Sequence, residues 1–495
     1  MRAPVTGAEL GVYPVSPWAD VDAALTAGRA AYDELQALGP EPVAAFLDGL
    51  AARLEAAADR LVATAHDETA LPAAPRLRDV ELPRTTDQLR QAAAAARSRS
   101  WRQPVLSPAA GIAAMHAPLP GVVAVLGPNN FPFAFNAVGG GDFAAAVATG
   151  HPVLAKSNPG HPGTTALLAA EALAAAREAG LPAATVQLLH HVEPADGYRL
   201  VADPRVAATA YTGSRVAGLR LKQAADAAGR AIHVELSSVN PVVVLPGALA
   251  ERGAAAVAAE LAASVLLGGG QFCTSPGLIL AVADSGADLG DALAGELGAA
   301  TGATLLGPTV ADALGRSVAQ WVDAGANVLA TGRVGAGCSA APTLATVDGA
   351  TFLAQPAALQ AEAFGSAALV VLADDADQLV RCVEALEGNL TGTVHSARDG
   401  SDDALYARVE PPLRERVGRL LNDKVPTGVA VVPAMHHGGP WPSTGAPQFT
   451  SVGLPAALLR FTQRQSWDGV RDERLPPELQ AANPLGLDRI VADRA

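Results

Sequence analysis

Residues 121–133 read Gly-Val-Val-Ala-Val-Leu-Gly-Pro-Asn-Asn-Phe-Pro-Phe. The apolar run from Gly121 to Leu126 stops at a Gly-Pro-Asn-Asn turn, and a helical pattern follows at Ala144 to Thr149. An unbroken apolar strand bounded by a turn fits a strand buried on both faces. The unit then repeats. A strand is expected at Val153 to Lys156, a loop at Ser157 to Gly163 and a helix at Thr164 to Ala179. Strands at Val186 to Leu189, Ala207 to Tyr211 and Ile232 to Leu236 alternate with helices near Ala195 to Ala202 and Arg215 to Ala228. This alternation predicts an α/β fold with a parallel, doubly wound sheet. Ligands of such sheets lie beyond the carboxyl ends of the strands. The loops holding Asn130, Lys156 and Thr212 are therefore expected on one edge.

Upstream, Val21, Ala24, Leu25 and Tyr32, then Phe46, Leu50, Leu54 and Leu61, recur at helical spacing, and Arg84 to Ser98 is a further helix. Gln88 and Arg90 read there as solvated helix residues, with the lining of a substrate tunnel as the alternative. The stretch from Trp101 to Pro118 carries three prolines around short apolar pieces. It reads as an extended arm that pairs with another subunit, or as a surface hairpin. Downstream, Pro241 to Leu245 is a buried strand, residues 250 to 470 resume the alternation as a second α/β unit, and the tail from Trp467 reads as a surface extension.

With 495 residues, half of them hydrophobic and 17% charged, the chain can bury two or three cores. A formal net charge of −14 argues against a nucleic-acid or anionic-membrane surface. Three cysteines fit a reducing compartment. The first residues lack the apolar run of a signal peptide, so a soluble cytoplasmic protein is expected.

One cysteine stands apart. Residues 268–277, Gly-Gly-Gly-Gln-Phe-Cys-Thr-Ser-Pro-Gly, place Cys273 in a glycine-rich turn between two apolar runs. Glycines let backbone approach closely, and a thiolate is a strong nucleophile. Taken alone, Cys273 reads equally well as a buried structural cysteine. Glu235, inside an apolar strand, is costly to bury without a role. Cys338 and Cys382 lack a comparable cradle and read as inert. His436 and His437 look like a metal or proton-transfer pair but read as structural loop residues, with no metal site expected.

Six motifs in order resemble the aldehyde dehydrogenase superfamily over almost the whole chain: Asn130 in Asn-Asn-Phe-Pro, Lys156 after a strand, Tyr211-Thr212-Gly213-Ser214, Glu235 in Val-Glu-Leu-Ser-Ser-Val-Asn-Pro, Cys273 in Gly-Gln-Phe-Cys, and Glu362-Ala-Phe-Gly. Gly139-Gly-Gly-Asp142, Pro159 to Gly163, Arg84 to Arg90 and His437-Gly-Gly-Pro-Trp-Pro442 resemble more closely the branch of 2-oxoglutarate-semialdehyde (2,5-dioxopentanoate) and NADP-dependent fatty-aldehyde dehydrogenases. The resemblance implies a Rossmann-like cofactor domain (1–100 and 119–236), a catalytic domain (237–455), and a β-arm with C-terminal extension (101–118 and 456–495) that makes a homo-oligomer, dimer or tetramer. It implies NAD(P)-dependent oxidation of an aldehyde to an acid through a thiohemiacetal and a thioester. Cys273 would be the nucleophile, Glu235 the base and Asn130 an oxyanion donor. Lys156, Ser157, Pro159, Thr212, Gly213, Ser214, Glu362 and Phe364 would hold NADP or NAD. Phe135, Gln271, Phe272, Thr274, Trp441 and Gln448 would line the aldehyde pocket. An acylating, coenzyme A-dependent enzyme and a non-catalytic protein keeping the fold are the alternatives.

Two departures from the family pattern matter. Pro159 stands where many members carry an acid against the adenosine 2′-hydroxyl, which leans the expectation to NADP. Gln448 stands where the branch usually has an arginine. Together with Phe133, Phe135, Trp441 and Phe449 it turns the expected substrate from 2,5-dioxopentanoate, a semialdehyde, towards a larger apolar aldehyde.

Overall fold

Strand Val122–Leu126 lies in the middle of a five-stranded sheet, between Val153–Lys156 and Val206–Thr212, with Val186–Leu189 and Ala231–Glu235 at the edges. All four pairings are parallel. The computed structural model describes residues 1–492.

The middle strand is apolar throughout because both of its faces are covered. Val123 and Val125 pack with Phe143 and Leu168, from helices Gly141–Ala148 and Pro162–Glu178. Val122 and Ala124 point the other way, to Val21 and Leu25 of helix Trp18–Leu38. This is the period-two alternation of a strand. Burying each such valine or leucine contributes about 1.5–3 kcal/mol. Register aligns the strand ends: Leu126 lies opposite Lys156 and Tyr211, and Thr212 opposite Glu235. One edge of the sheet therefore carries the loops expected there.

A second sheet of seven strands runs Asn327–Thr331, Thr343–Asp348, Ala367–Ala373, Leu278–Val282, Val242–Val244, Asn389–His395, Val417–Asn422. Only its outermost pair, Asn327–Thr331 with Thr343–Asp348, is antiparallel. Val243, Leu280 and Leu369 pack on one face with Phe352 and Trp321. Val242, Val244 and Ile279 pack on the other with Leu261 and Leu293.

The tail departs from expectation. Strand Thr462–Asp468 pairs antiparallel with Ile112–Pro118 along its full length, placing Trp467 opposite Ala113. Ile490–Val491 adds to Val105–Ser107 in the same four-stranded sheet. Leu479 is fully buried with Met115. Polar and charged residues masked this strand, because its side chains are largely exposed.

Candidate active site

Glu235 ends an edge strand, and two loops close over it. Leu236 donates from its backbone N–H to Ser443, and Gly213 donates to the Glu235 carbonyl. Further along the same segment, Asn240 donates its side-chain amide to the carbonyls of Cys273, at 2.8 Å, and Ser275, at 2.9 Å. The Glu235 segment and the Cys273 turn are thus tied together by one side chain. Glycine is needed in that turn: Gly270 has φ +70°, and a Cβ there would meet the Gly365 carbonyl oxygen at 2.1 Å.

His437 stands between the two groups. Its Nε2 lies 3.0 Å from Glu235 Oε1 and 3.6 Å from Cys273 Sγ. The other Glu235 oxygen accepts from Ser451 Oγ at 2.9 Å. Burial works against the imidazolium, but Glu235 and then Cys273 outweigh it, and His437 is pushed up to about 10. Burial likewise works against the Glu235 carboxylate, and His437 more than compensates, so Glu235 is held below the usual carboxylate range. The expectation that His437 is a structural loop residue is corrected here. Its signal in the sequence was weak, because the loop that folds it onto Glu235 lies some two hundred positions downstream.

Asn130 is buried beside this group, its side-chain amide donating to the Gln271 carbonyl at 2.9 Å. Cys273 opens into a cavity of about 510 Å³ lined by Phe131, Phe135, Phe272, Thr274, Arg76 and Arg84, among others. Phe135, Phe272 and Thr274, expected around the aldehyde, line this cavity. Three other expected lining residues do not. Gln271 is buried as a brace, its side-chain oxygen accepting from Leu306 N–H at 2.9 Å. Trp441 is 55% exposed and outside the cavity, its carbonyl pinned by Gly388 N–H. Gln448 is exposed and also outside it. Phe133 is sealed into the helical core, and Phe449 packs edge-on against His233 beyond Glu235.

The cavity also holds what the sequence reading missed. Arg84 donates Nη1 to the Val429 carbonyl at 3.0 Å, while its Nη2 is buried with no partner among the described residues. Arg76 donates to Glu81 and to the Asn130 carbonyl. Gln88, expected in solvent, is buried and donates to the Ala134 carbonyl at 3.0 Å. Arg90 does face solvent, paired with Glu55. The helix Leu82–Ser98 buries the side that carries Thr85, Gln88 and Leu89, and Arg84 borders it.

Two helix starts face the neighbourhood of Lys156, and only one is free to seat an anion. At Pro162–Glu178 the Glu68 carboxylate already accepts from Gly163 and Thr164 N–H at 2.7 and 2.8 Å. At Arg215–Ala227, Ser214 makes no side-chain cap bond, so the amides after Thr212-Gly213 are open to a pyrophosphate. Lys156 is half-buried, and desolvation draws its ammonium below the usual range. Ser157 lies buried beside His190, and Pro159 is exposed. Across the cleft, Glu362 and Phe364 line a narrow crevice with Gly270 and Phe272. Burial pushes Glu362 up to about 7, against hydrogen bonds from Ser237 and Ser238. This donor set fits a dinucleotide.

The family model described as the aldehyde dehydrogenase family matches residues 1–410. The chain belongs to the aldehyde dehydrogenase family. Its activity is that of an oxidoreductase, the NAD(P)-dependent oxidation of an aldehyde to a carboxylic acid. Alpha-ketoglutaric semialdehyde dehydrogenase 2 of Azospirillum brasilense is 39% identical, covering 98% of this chain and 93% of that protein. Alpha-ketoglutaric semialdehyde dehydrogenase of Acinetobacter baylyi is 34% identical, covering 95% and 90%. Among solved structures, a mutant of aldehyde dehydrogenase C from Pseudomonas syringae, complexed with NAD+ and octanal, superposes with a TM-score of 0.78 at 20% identity, covering 94% of this dehydrogenase chain and 92% of that one. That last likeness concerns the fold. Among the described residues of this dehydrogenase no single helix is long and apolar enough to cross a membrane.

Proposed function

We propose that this aldehyde dehydrogenase oxidises an aldehyde bearing a distal carboxylate, with Cys273 as nucleophile and Arg84 as the carboxylate anchor. The observation that carries the substrate class is the buried, unpartnered Nη2 of Arg84 in the wall of the cavity that Cys273 opens into. A guanidinium N–H left without a partner is costly, and a carboxylate would satisfy it. The two relatives named for alpha-ketoglutaric semialdehyde act, by those names, on such a molecule. Phe131 and Phe135 face the guanidinium and leave apolar surface for the carbon chain. The argument for a larger apolar aldehyde rested on Gln448 with Phe133, Phe135, Trp441 and Phe449, and of these only Phe135 lines the cavity.

In the proposed reaction Cys273 sulfur adds to the aldehyde carbon, and the carbonyl oxygen becomes an oxyanion. The Asn130 amide and the Cys273 backbone N–H donate to it, each worth roughly 3–4 kcal/mol. Ser214 and Glu362 would hold NAD(P), which when bound would supply the acceptor for the hydride leaving that carbon. The thioester left on Cys273 is cleaved by water, whose proton Glu235 takes, while the His437 imidazolium orients that carboxylate. The carbon–sulfur bond breaks, and the thiolate returns to the reach of the His437 imidazolium.

Pro159 leaves no carboxylate beside Lys156 to repel a 2′-phosphate, so NADP is accepted as well as NAD. A cytoplasmic location, and a homo-oligomer formed through the arm sheet, complete the reading.

The test compares kcat/KM for 2,5-dioxopentanoate and for a neutral aldehyde of equal length, in wild type and Arg84→Met. The carboxylated substrate is expected to lead in wild type. That lead should shrink about 10- to 100-fold in Arg84→Met. Equal values in wild type would overturn the substrate class. Cys273→Ala should lower turnover of both by about 10⁴-fold or more, and an active Cys273→Ala would overturn the mechanism.

A further inference from the structure

We propose that Glu235, Cys273 and His437 form a reversible, inhibitory binding site for a zinc-class divalent cation. One donor atom from each of the three residues lies within 4.8 Å of the other two. Zinc takes sulfur at about 2.3 Å and nitrogen at about 2.0–2.1 Å, so a tetrahedral ion spaces those atoms about 3.5 Å apart. The Cys273 sulfur and His437 Nε2 are already 3.6 Å apart. The His437–Glu235 pair, at 3.0 Å, needs to open by only a few tenths of an ångström.

The donor chemistry selects the ion. A thiolate, an imidazole and one carboxylate suit zinc, whereas magnesium and calcium require more oxygens. The supporting bonds are also present. Ser451 holds the second Glu235 oxygen, and an outer partner of this kind fixes a carboxylate ligand in direction. The Thr450 hydroxyl accepts from the His437 backbone N–H at 2.8 Å and anchors the main chain that carries the ring. The route in is the 510 Å³ cavity, from which Cys273 remains partly accessible. The fourth position would go to water.

Binding displaces the proton held by the imidazole, so a proton is released to the buffer. It also ties up the sulfur, the carboxylate and the shared ring nitrogen together. No part of the aldehyde chemistry assigned above can then run. The inference rests on the placement of three donor atoms, and calorimetry and cobalt absorption read it without turnover. A failed substrate reading therefore leaves it standing, and the reverse also holds.

The experiment titrates metal-stripped, full-length protein with zinc chloride by calorimetry and with cobalt(II) by absorption. One ion per chain, with proton release and a cobalt–thiolate charge-transfer band, is expected. Activity should fall about tenfold or more at saturating zinc and return with EDTA. Cys273→Ser should abolish the band, and both Cys273→Ser and His437→Gln should weaken zinc binding about tenfold or more. Cys338→Ser, distant from the cluster, should bind as wild type does and keep the band. Cobalt bound without the band, zinc affinity unchanged in Cys273→Ser and His437→Gln, or no binding at millimolar zinc would each overturn the proposal.

Discussion

His437 and His151 are both buried imidazoles, yet the protein holds them in opposite charge states. His151 faces neutral partners only, the Thr149 hydroxyl at 2.8 Å and the Leu119 carbonyl at 2.7 Å. Burial therefore prevails, and its imidazole is pushed down to about 4. His437 meets the same desolvation but faces Glu235 and Cys273, and it stays cationic. Burial sets the cost of charge in both places, and the neighbours decide whether that cost is met. A buried histidine with charged partners is a candidate for chemistry, whereas one with neutral partners braces a turn.

The largest effect that sharpens this contrast is on rate. His437→Gln removes the charge and keeps a polar side chain of similar reach. We expect kcat/KM to fall about 10²- to 10⁴-fold, with slower alkylation of Cys273 by iodoacetamide near neutral pH. A merely structural histidine would leave alkylation unchanged, and that result would break the contrast.

Stability should respond next, with opposite signs at the two sites. The folded pKa of His151 lies below that of the unfolded chain, so the folded protein binds fewer protons between about 4 and 6.5. Its contribution is present above 6.5 and is lost as pH falls towards 4, on the order of 3 kcal/mol. The folded pKa of His437 is raised, so its contribution is full below 6.5 and is lost as pH rises through about 10. Thermal melts across pH 5 to 10 should show His151→Gln flattening the acid limb and His437→Gln the alkaline one. Flattening of the same limb by both would sink the argument.

The smallest effect concerns the support. Ser451→Ala removes one hydrogen bond to Glu235, worth about 1 kcal/mol. A roughly fivefold fall in kcat/KM is expected, with KM little changed.

Reading the sequence worked where chemistry and backbone are local. Strand Val122–Leu126 and the turn at Thr212 follow from apolar runs and glycine, and Cys273, Glu235 and Asn130 stand in short motifs. It failed where a side chain acquires its role from a distant segment. Arg84 sits on a helix that reads as polar, and its carbonyl partner, Val429, lies more than three hundred positions away. Trp441 looks like a pocket residue by its apolar ring and Gln448 by its place in the family pattern, but their loop is held outside the cavity, with Leu236 bound to Ser443 and Gly388 to Trp441. His437 is brought in by that same loop. Periodicity records which face of an element is apolar, and it carries no record of what a long loop will cover.

The pairing of Ile112–Pro118 with Thr462–Asp468 also has a consequence in time. Roughly 350 residues separate the two, and at about 5–20 residues per second a ribosome needs about 20–70 s to supply the second strand. Throughout that interval the first strand presents an open edge to the crowded cell. Premature release would leave a chain with an unfilled slot, so a truncated product lacking the last forty residues should partition to holdase chaperones or to aggregates.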